Sequence, residues 1–138
     1  FTNAHSKIGA FPFTTTEPHL GDFYGYVIAD IPGLIEGAAA GKGLGHTFLR
    51  HVTRTKMLLH LVSLETEDAL ERYETIRKEL SSFSKELTDK EEWIILTKKD
   101  LVKQEYLEAV LKDIDKNENR VFVISVESGE GVKELMSL

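Results

Sequence analysis

The stretch Trp93-Ile94-Ile95-Leu96-Thr97-Lys98-Lys99-Asp100 joins a short apolar run to a polar segment. The apolar part predicts a buried β-strand, because a run of this length bounded by polar residues fits a strand better than a helix. Residues 26–31, 57–64 and 120–126 are further apolar segments of strand length. The sequence therefore predicts four buried strands.

Helical patterns lie between these strands. Residues 46–55 form the first pattern, and Thr66 is the predicted N-cap of the next, with Glu67 and Asp68 at its positive end. The apolar positions of the two later helices recur every three or four residues, at Leu70, Tyr73, Ile76, Leu80, Phe83 and Leu87, and then at Leu107, Val110, Leu111 and Ile114. This alternation predicts an α/β fold with a mostly parallel sheet and helices on both faces.

Glycines and composition limit the interpretation further. Gly21 and Gly25 indicate a tight hairpin that leads into the first strand, and His60 inside the second strand is interpreted as a packed residue. The 138 residues include 17 Lys and Arg against 23 Asp and Glu, a net charge of −6 that excludes a basic footprint for nucleic acid over the whole domain and leaves only a local patch open. No DNA partner is expected. No cysteine is present, which excludes disulfides and fits a reducing compartment. The apolar runs are too short to span a membrane.

Ligands of parallel sheets bind at the carboxyl ends of the strands, and the first strand ends in Asp30-Ile31-Pro32-Gly33. An Asp at this place can hold Mg²⁺ through a water molecule, and Gly33 offers a backbone N–H that a phosphate can approach. Near the start, a hydroxyl in Phe13-Thr14-Thr15-Thr16 can ligate Mg²⁺. Taken alone, Asp-x-x-Gly is better explained by an ordinary strand-to-loop turn, and composition does not separate a metal ligand from a strand-forming Thr run.

The later strand ends carry base-reading chemistry. The Asp100 carboxylate can accept two hydrogen bonds from guanine, which adenine does not offer, while the stem of Lys98 covers the base face. Backbone N–H groups of Ser125-Val126-Glu127-Ser128-Gly129 can reach the guanine carbonyl oxygen. Each motif alone also fits a solvated loop or a helix cap. Their order along one α/β chain predicts a guanine-nucleotide-binding domain.

The resemblance to a known family is specific. Residues 10–21 (AFPFTTTEPHLG) resemble the switch I region of the Obg/CgtA GTPases. Residues 28–38 (IADIPGLIEGA), with Gly41-Lys42-Gly43-Leu44-Gly45-His46 and Phe48-Leu49-Arg50-His51, resemble their switch II region and the helix after it. The resemblance covers nearly the whole chain, densely over residues 10–55. It implies a G domain of the P-loop NTPase type that binds GTP and GDP with Mg²⁺.

The resemblance also implies roles for single residues. Thr15 and, through water, Asp30 would ligate Mg²⁺. The remaining nucleotide contacts would come from Phe13, Thr14, Thr16, Glu17, Ile31, Pro32, Gly33, Thr97, Lys98, Asp100, Ser125, Val126 and Glu127. The family is cytoplasmic, hydrolyses GTP slowly, associates with the large ribosomal subunit, acts in its assembly and in growth control, and is linked to the nucleotide ppGpp. A monomer without a membrane partner is expected.

Three departures from the pattern matter. Thr97 stands where most such GTPases have Asn, so some loss of base affinity or pocket rigidity is expected. Leu34 replaces the Gln that orients the attacking water in Ras-like enzymes, so backbone groups, a bound K⁺ or a partner must do so, and slow turnover is expected. No Gly-x-x-x-x-Gly-Lys-Ser/Thr occurs. The chain is therefore expected to be a partial G domain over residues 1–138, from the end of the first helix to the start of the last.

Two alternatives stay open at this point. The chain could belong to an HflX-like or DRG-like GTPase with the same activity, although the sequence of the switch II region favours Obg. A nucleotide-free interaction module would keep only the fold. The expected missing segment comprises the first strand, the P-loop and most of the first helix. Its strand would lie between the strand that ends at Asp30 and the one over residues 57–64.

Overall fold

The computed structural model describes residues 19–23, 26–30, 52–114 and 120–137. The chain divides into two compact units, one of residues 1–55 with 79–88 and one of residues 56–78 with 89–138. Within the described ranges, no helix combines the length and the hydropathy needed to cross a bilayer.

The first unit contains an antiparallel hairpin. Strand β1 (His19–Phe23) pairs with strand β2 (Tyr26–Asp30), with Phe23 opposite Tyr26 next to the two-residue connection. The predicted hairpin is thereby confirmed, although Gly21 lies within β1, opposite Ile28, and not in the turn. Of the helix predicted over residues 46–55, only residues 52 and 53 are helical within the described part of the chain.

The second unit contains a parallel sheet. Its strands are β3 (Met57–Ser63), β4 (Glu91–Thr97) and β5 (Arg120–Val123), in the order β3-β4-β5. The sheet confirms the α/β prediction, and two of its strands match the predicted segments to within two residues at each end. The described strands form two separate sheets, and no ladder among them joins β2 to β3. The additional strand expected between those two stays a prediction.

The predicted fourth strand is too long by three residues. The N–H of Ile124 still donates to the carbonyl of Leu96, at 2.8 Å, but the N–H of Ser125 turns away and donates to the carbonyl of Glu130, at 3.0 Å. The chain therefore leaves the sheet after β5 and closes a tight loop over residues 125–130. A short helix, α4 (Val132–Met136), follows that loop.

The helices of the described ranges are α1 (Ala69–Phe83), α2 (Lys85–Thr88), α3 (Gln104–Ile114) and the α4 segment. Because α1 begins at Ala69, Asp68 and not Thr66 precedes its first residue, which corrects the predicted N-cap. The single helix predicted through Leu87 is also wrong, since it breaks at Ser84. There the Ser84 hydroxyl accepts the N–H of Glu86, at 3.2 Å, and so caps the second helix.

The core of the second unit lies between one face of the sheet and helices α1 and α3. It is built from alternate residues of the strands, because successive side chains of a strand point to opposite faces. Its buried members are Val62, Leu64, Ala69, Tyr73, Ile94, Leu96, Leu107, Val110 and Ile114. This core sets the carboxyl ends of β3, β4 and β5 side by side, where the polar loops begin.

Candidate functional site

Thr97, the last residue of β4, is tied to the end of β3. Its hydroxyl donates to the carbonyl of Val62 over a long 3.4 Å, and its own carbonyl accepts the N–H of Leu64 at 3.0 Å. The side chain therefore braces two neighbouring strands. A single hydroxyl can donate only once, so a Thr97 engaged in this way has no donor left for a ligand.

Lys98 turns the chain sharply out of the sheet. Its backbone is left-handed, with φ 62° and ψ 39°, and within the described ranges it is the only residue other than glycine with a positive φ. The next residues form a 3₁₀ turn (Lys99–Leu101), closed by a bond from the N–H of Leu101 to the carbonyl of Lys98 at 3.1 Å. A left-handed backbone costs energy for a residue other than glycine, and such conformations cluster at functional sites.

Asp100 and Ser125 meet across this edge of the sheet. The wholly buried Ser125 donates its hydroxyl to Asp100 Oδ1 and accepts the N–H of Ser128, at 3.1 Å. Asp100 itself is exposed. The hydrogen bond fixes the orientation of the carboxylate while leaving it accessible, because each carboxylate oxygen can accept more than one hydrogen bond.

The loop after β5 exposes residues 126–130. The N–H of Gly129 donates to the carbonyl of Ser125, at 2.9 Å, which closes the turn around the exposed residues Val126 and Glu127. Among the hydrogen bonds of the described residues, the N–H groups of Val126 and Glu127 donate to no other backbone group. A carbonyl oxygen of a ligand can therefore approach them beside Asp100.

Two ion pairs surround this arrangement. The ammonium of Lys98 pairs with the carboxylate of Glu65, which follows β3, and the ammonium of Lys99 pairs with Glu130, which follows β5. Sequence reasoning missed both glutamates. The available signal was their position within a few residues of a predicted strand end, opposite the tandem lysines at the end of β4.

The structure thus brings together six of the predicted residues: Thr97, Lys98, Asp100, Ser125, Val126 and Glu127. The structure does not test the predicted phosphate and metal site. Asp30 ends β2, and Phe13, Thr14, Thr15, Thr16, Glu17, Ile31, Pro32, Gly33 and Leu34 lie outside the described residues. Within the described ranges, no group of three or more His, Asp or Glu side chains is arranged to hold a metal ion.

A parallel α/β sheet whose carboxyl edge carries an oriented, exposed Asp beside the loop of Val126 and Glu127 is typical of a GTPase domain of the P-loop NTPase type. The family model described as "50S ribosome-binding GTPase" matches residues 1–99. The chain belongs to this family, as an Obg-type G domain.

Curated relatives agree with this assignment. The chain is 46% identical over 142 residues to the GTPase Obg of Prochlorococcus marinus strain MIT 9215, covering 99% of this chain and 43% of the relative. It is 48% identical over 143 residues to the GTPase Obg of Desulfatibacillum aliphaticivorans, covering 98% and 42%. For the GTPase Obg of Parabacteroides distasonis the identity is 43% over 140 residues, covering 98% and 36%. The chain thus spans less than half the length of these relatives.

Proposed function

We propose that this chain supplies the base-binding and switch residues of an Obg-type GTPase that binds GTP and GDP and slowly hydrolyses GTP. The observation that carries the proposal is the Asp100 carboxylate, oriented by the buried Ser125 hydroxyl and exposed at the carboxyl edge of the sheet. Ligands of open α/β sheets bind at this edge.

Guanine selection follows from the hydrogen-bond pattern of its Watson–Crick edge. The Asp100 carboxylate accepts the N1–H and the exocyclic amine, and the N–H groups of Val126 and Glu127 donate to the carbonyl oxygen at C6. Adenine presents an unprotonated N1 and a donor at C6, so it leaves both groups unpaired. A site whose polar groups are left unpaired rejects the wrong ligand strongly.

Thr97 weakens this site without changing its choice of base. Its hydroxyl donates to the Val62 carbonyl and so has no donor left for the base. An Asn at this position would add an amide donor and an acceptor on a longer arm. We expect Thr97→Asn to raise affinity for GTP and GDP alike and to leave the preference over ATP unchanged, measured by titration with fluorescent nucleotides. A loss of affinity would show that the hydroxyl contact itself is what the pocket needs.

The phosphate side would be formed by Phe13, Thr14, Thr15, Thr16 and Glu17 together with Asp30, Ile31, Pro32 and Gly33. Thr15 and Asp30 would hold Mg²⁺, Asp30 through water. The donors fit a hard cation, since both are oxygen ligands and Asp30 ends a strand. When bound, Mg²⁺ neutralises charge on the phosphate oxygens.

Slow hydrolysis follows from Leu34, whose apolar side chain cannot accept a hydrogen bond from the attacking water. The water would be oriented by backbone groups, a bound K⁺ or a partner. The resemblance to the Obg family leads us to propose a cytoplasmic monomer that acts on the large ribosomal subunit, in its assembly and in growth control, with ppGpp as a further nucleotide ligand. An interaction module without nucleotide is the alternative function.

The test is nucleotide binding by the purified full-length protein, because a phosphate site needs a P-loop and residues 1–138 contain no P-loop motif. We expect GTP and GDP to bind with Mg²⁺ and ATP to bind far more weakly, with GTP turned over slowly in the absence of the ribosome. Failure to bind any guanine nucleotide would favour the interaction module. A turnover as fast as that of GTPases stimulated by a partner would refute the role assigned to Leu34.

A further inference from the structure

The tandem lysines at the end of β4 are held in opposite directions. Lys98 pairs with Glu65 and Lys99 pairs with Glu130, so one lysine is joined to the loop after β3 and the other to the loop after β5. The two lysines diverge at a residue, Lys98, whose backbone is left-handed. In an ordinary solvated loop such strain would relax, because nothing would offset its cost.

Glu65 is itself anchored. Its N–H donates to the Ser63 hydroxyl, at 3.3 Å, and Ser63 lies opposite Thr97 in the parallel ladder. The N–H of Leu64 donates to the Thr97 carbonyl, at 3.0 Å. The residues before Glu65 are therefore fixed to the residue before Lys98, and both partners of the ion pair start from a rigid base.

We propose that Glu65 is a positioning residue for the nucleotide base, acting through Lys98. It holds the ammonium of Lys98 so that the aliphatic stem is already extended when guanine arrives. The inference rests on the proposed function, since it requires a base beside Lys98. A lysine stem loses rotational freedom when it is ordered, and a stem that is ordered in advance loses less on binding.

The size of the effect follows from the environment of the pair. Both side chains are exposed, so water and salt screen their attraction, and an exposed pair changes an equilibrium about two- to five-fold. We therefore expect Glu65→Gln to speed the release of guanine nucleotide about two- to five-fold at low salt. Raising the ionic strength should bring the wild-type release rate toward that of the variant.

The experiment measures the dissociation rate of fluorescent GDP from the purified full-length protein and four variants. Glu65→Gln tests the pair, and Glu67→Gln is the matched control, because it removes the same charge from an exposed residue two positions along. Lys98→Met keeps an unbranched stem without the ammonium. If Glu65 acts through Lys98, adding Glu65→Gln to Lys98→Met changes the rate no further, as a double-mutant cycle requires for coupled residues.

Three results would overturn the inference. The first is wild-type release from Glu65→Gln, and the second is equal acceleration by Glu67→Gln, which would indicate a general effect of charge. The third is an undiminished effect of Glu65→Gln in the Lys98→Met background. Each leaves guanine binding intact and so spares the proposed function. Absence of guanine-nucleotide binding by the wild-type protein would overturn both.

Discussion

Removing Arg77 should destabilise the second unit strongly. Glu92 is the one charged residue that is buried within the described ranges, with its side chain 2% exposed. Its two oxygens lie 2.9 Å from His60 Nδ1 and 2.8 Å from Arg77 Nη1. Taking away one partner leaves a buried carboxylate without full compensation, which costs about 3–5 kcal/mol. Because the Arg77 side chain is 27% exposed, we expect Arg77→Leu to fall at the lower end, about 3 kcal/mol.

The assay is urea unfolding followed by the fluorescence of Trp93, the single tryptophan of the chain, which adjoins Glu92 in β4. The matched control is Lys78→Leu on the same helix. Lys78 pairs with Glu74 at 3.9 Å, with side chains 79% and 56% exposed, so its loss should cost less than about 1 kcal/mol.

A second comparison separates charge from packing. Replacing both Arg77 and Glu92 by Leu removes the buried charge altogether, so the double variant should be more stable than Arg77→Leu alone. A loss for Arg77→Leu no greater than that for Lys78→Leu would contradict the role assigned to the buried ion pair. A double variant less stable than Arg77→Leu alone would also contradict it, since the loss would then come from the packing of the side chains.

Two further predictions concern the backbone and a helix start. Gly131→Ala should destabilise the protein by at least about 1 kcal/mol more than Gly129→Ala. Both glycines have a left-handed φ, but only at Gly131 would a Cβ lie 2.3 Å from the Val123 carbonyl oxygen. Equal losses of stability in urea unfolding would contradict this prediction. The Thr66 hydroxyl holds the pKa of Asp68 below its ordinary 3.8, so the charged carboxylate stabilises the folded state above that pH. The difference in stability between wild type and Asp68→Asn should therefore shrink as the pH falls through the lowered pKa. A difference that does not change with pH would contradict this prediction.

Much of the fold could be predicted because it depends on local patterns. The continuous apolar runs of β3 and β4 predicted the bounds of both strands to within two residues. The break of the long helix at Ser84 was missed, since apolar residues keep their helical spacing through Leu87 and the interruption depends on one hydroxyl. The early end of β5 was missed for a similar reason: Ser125 leaves the ladder to bond within its own loop.

The site divides in the same way. Asp100 and Ser125 could each be predicted from their place after a strand. The hydrogen bond between them could not, because it joins residues from two different loops and depends on how those loops fold. The pairing of Lys98 with Glu65 occurs at a left-handed backbone, and a lysine in the sequence does not predict that conformation.

The central claim is that Asp100 reads guanine, and Asp100→Asn tests it most directly. Asn keeps an oxygen that can accept the Ser125 hydroxyl, so the loops should stay in place, but its amide group now donates where the amine of guanine also donates. Xanthine carries a carbonyl at that position and accepts instead. We predict that the variant loses GTP affinity by about 100-fold and gains affinity for XTP, as a mismatch at charged hydrogen bonds requires. Unchanged GTP affinity in Asp100→Asn would contradict the account.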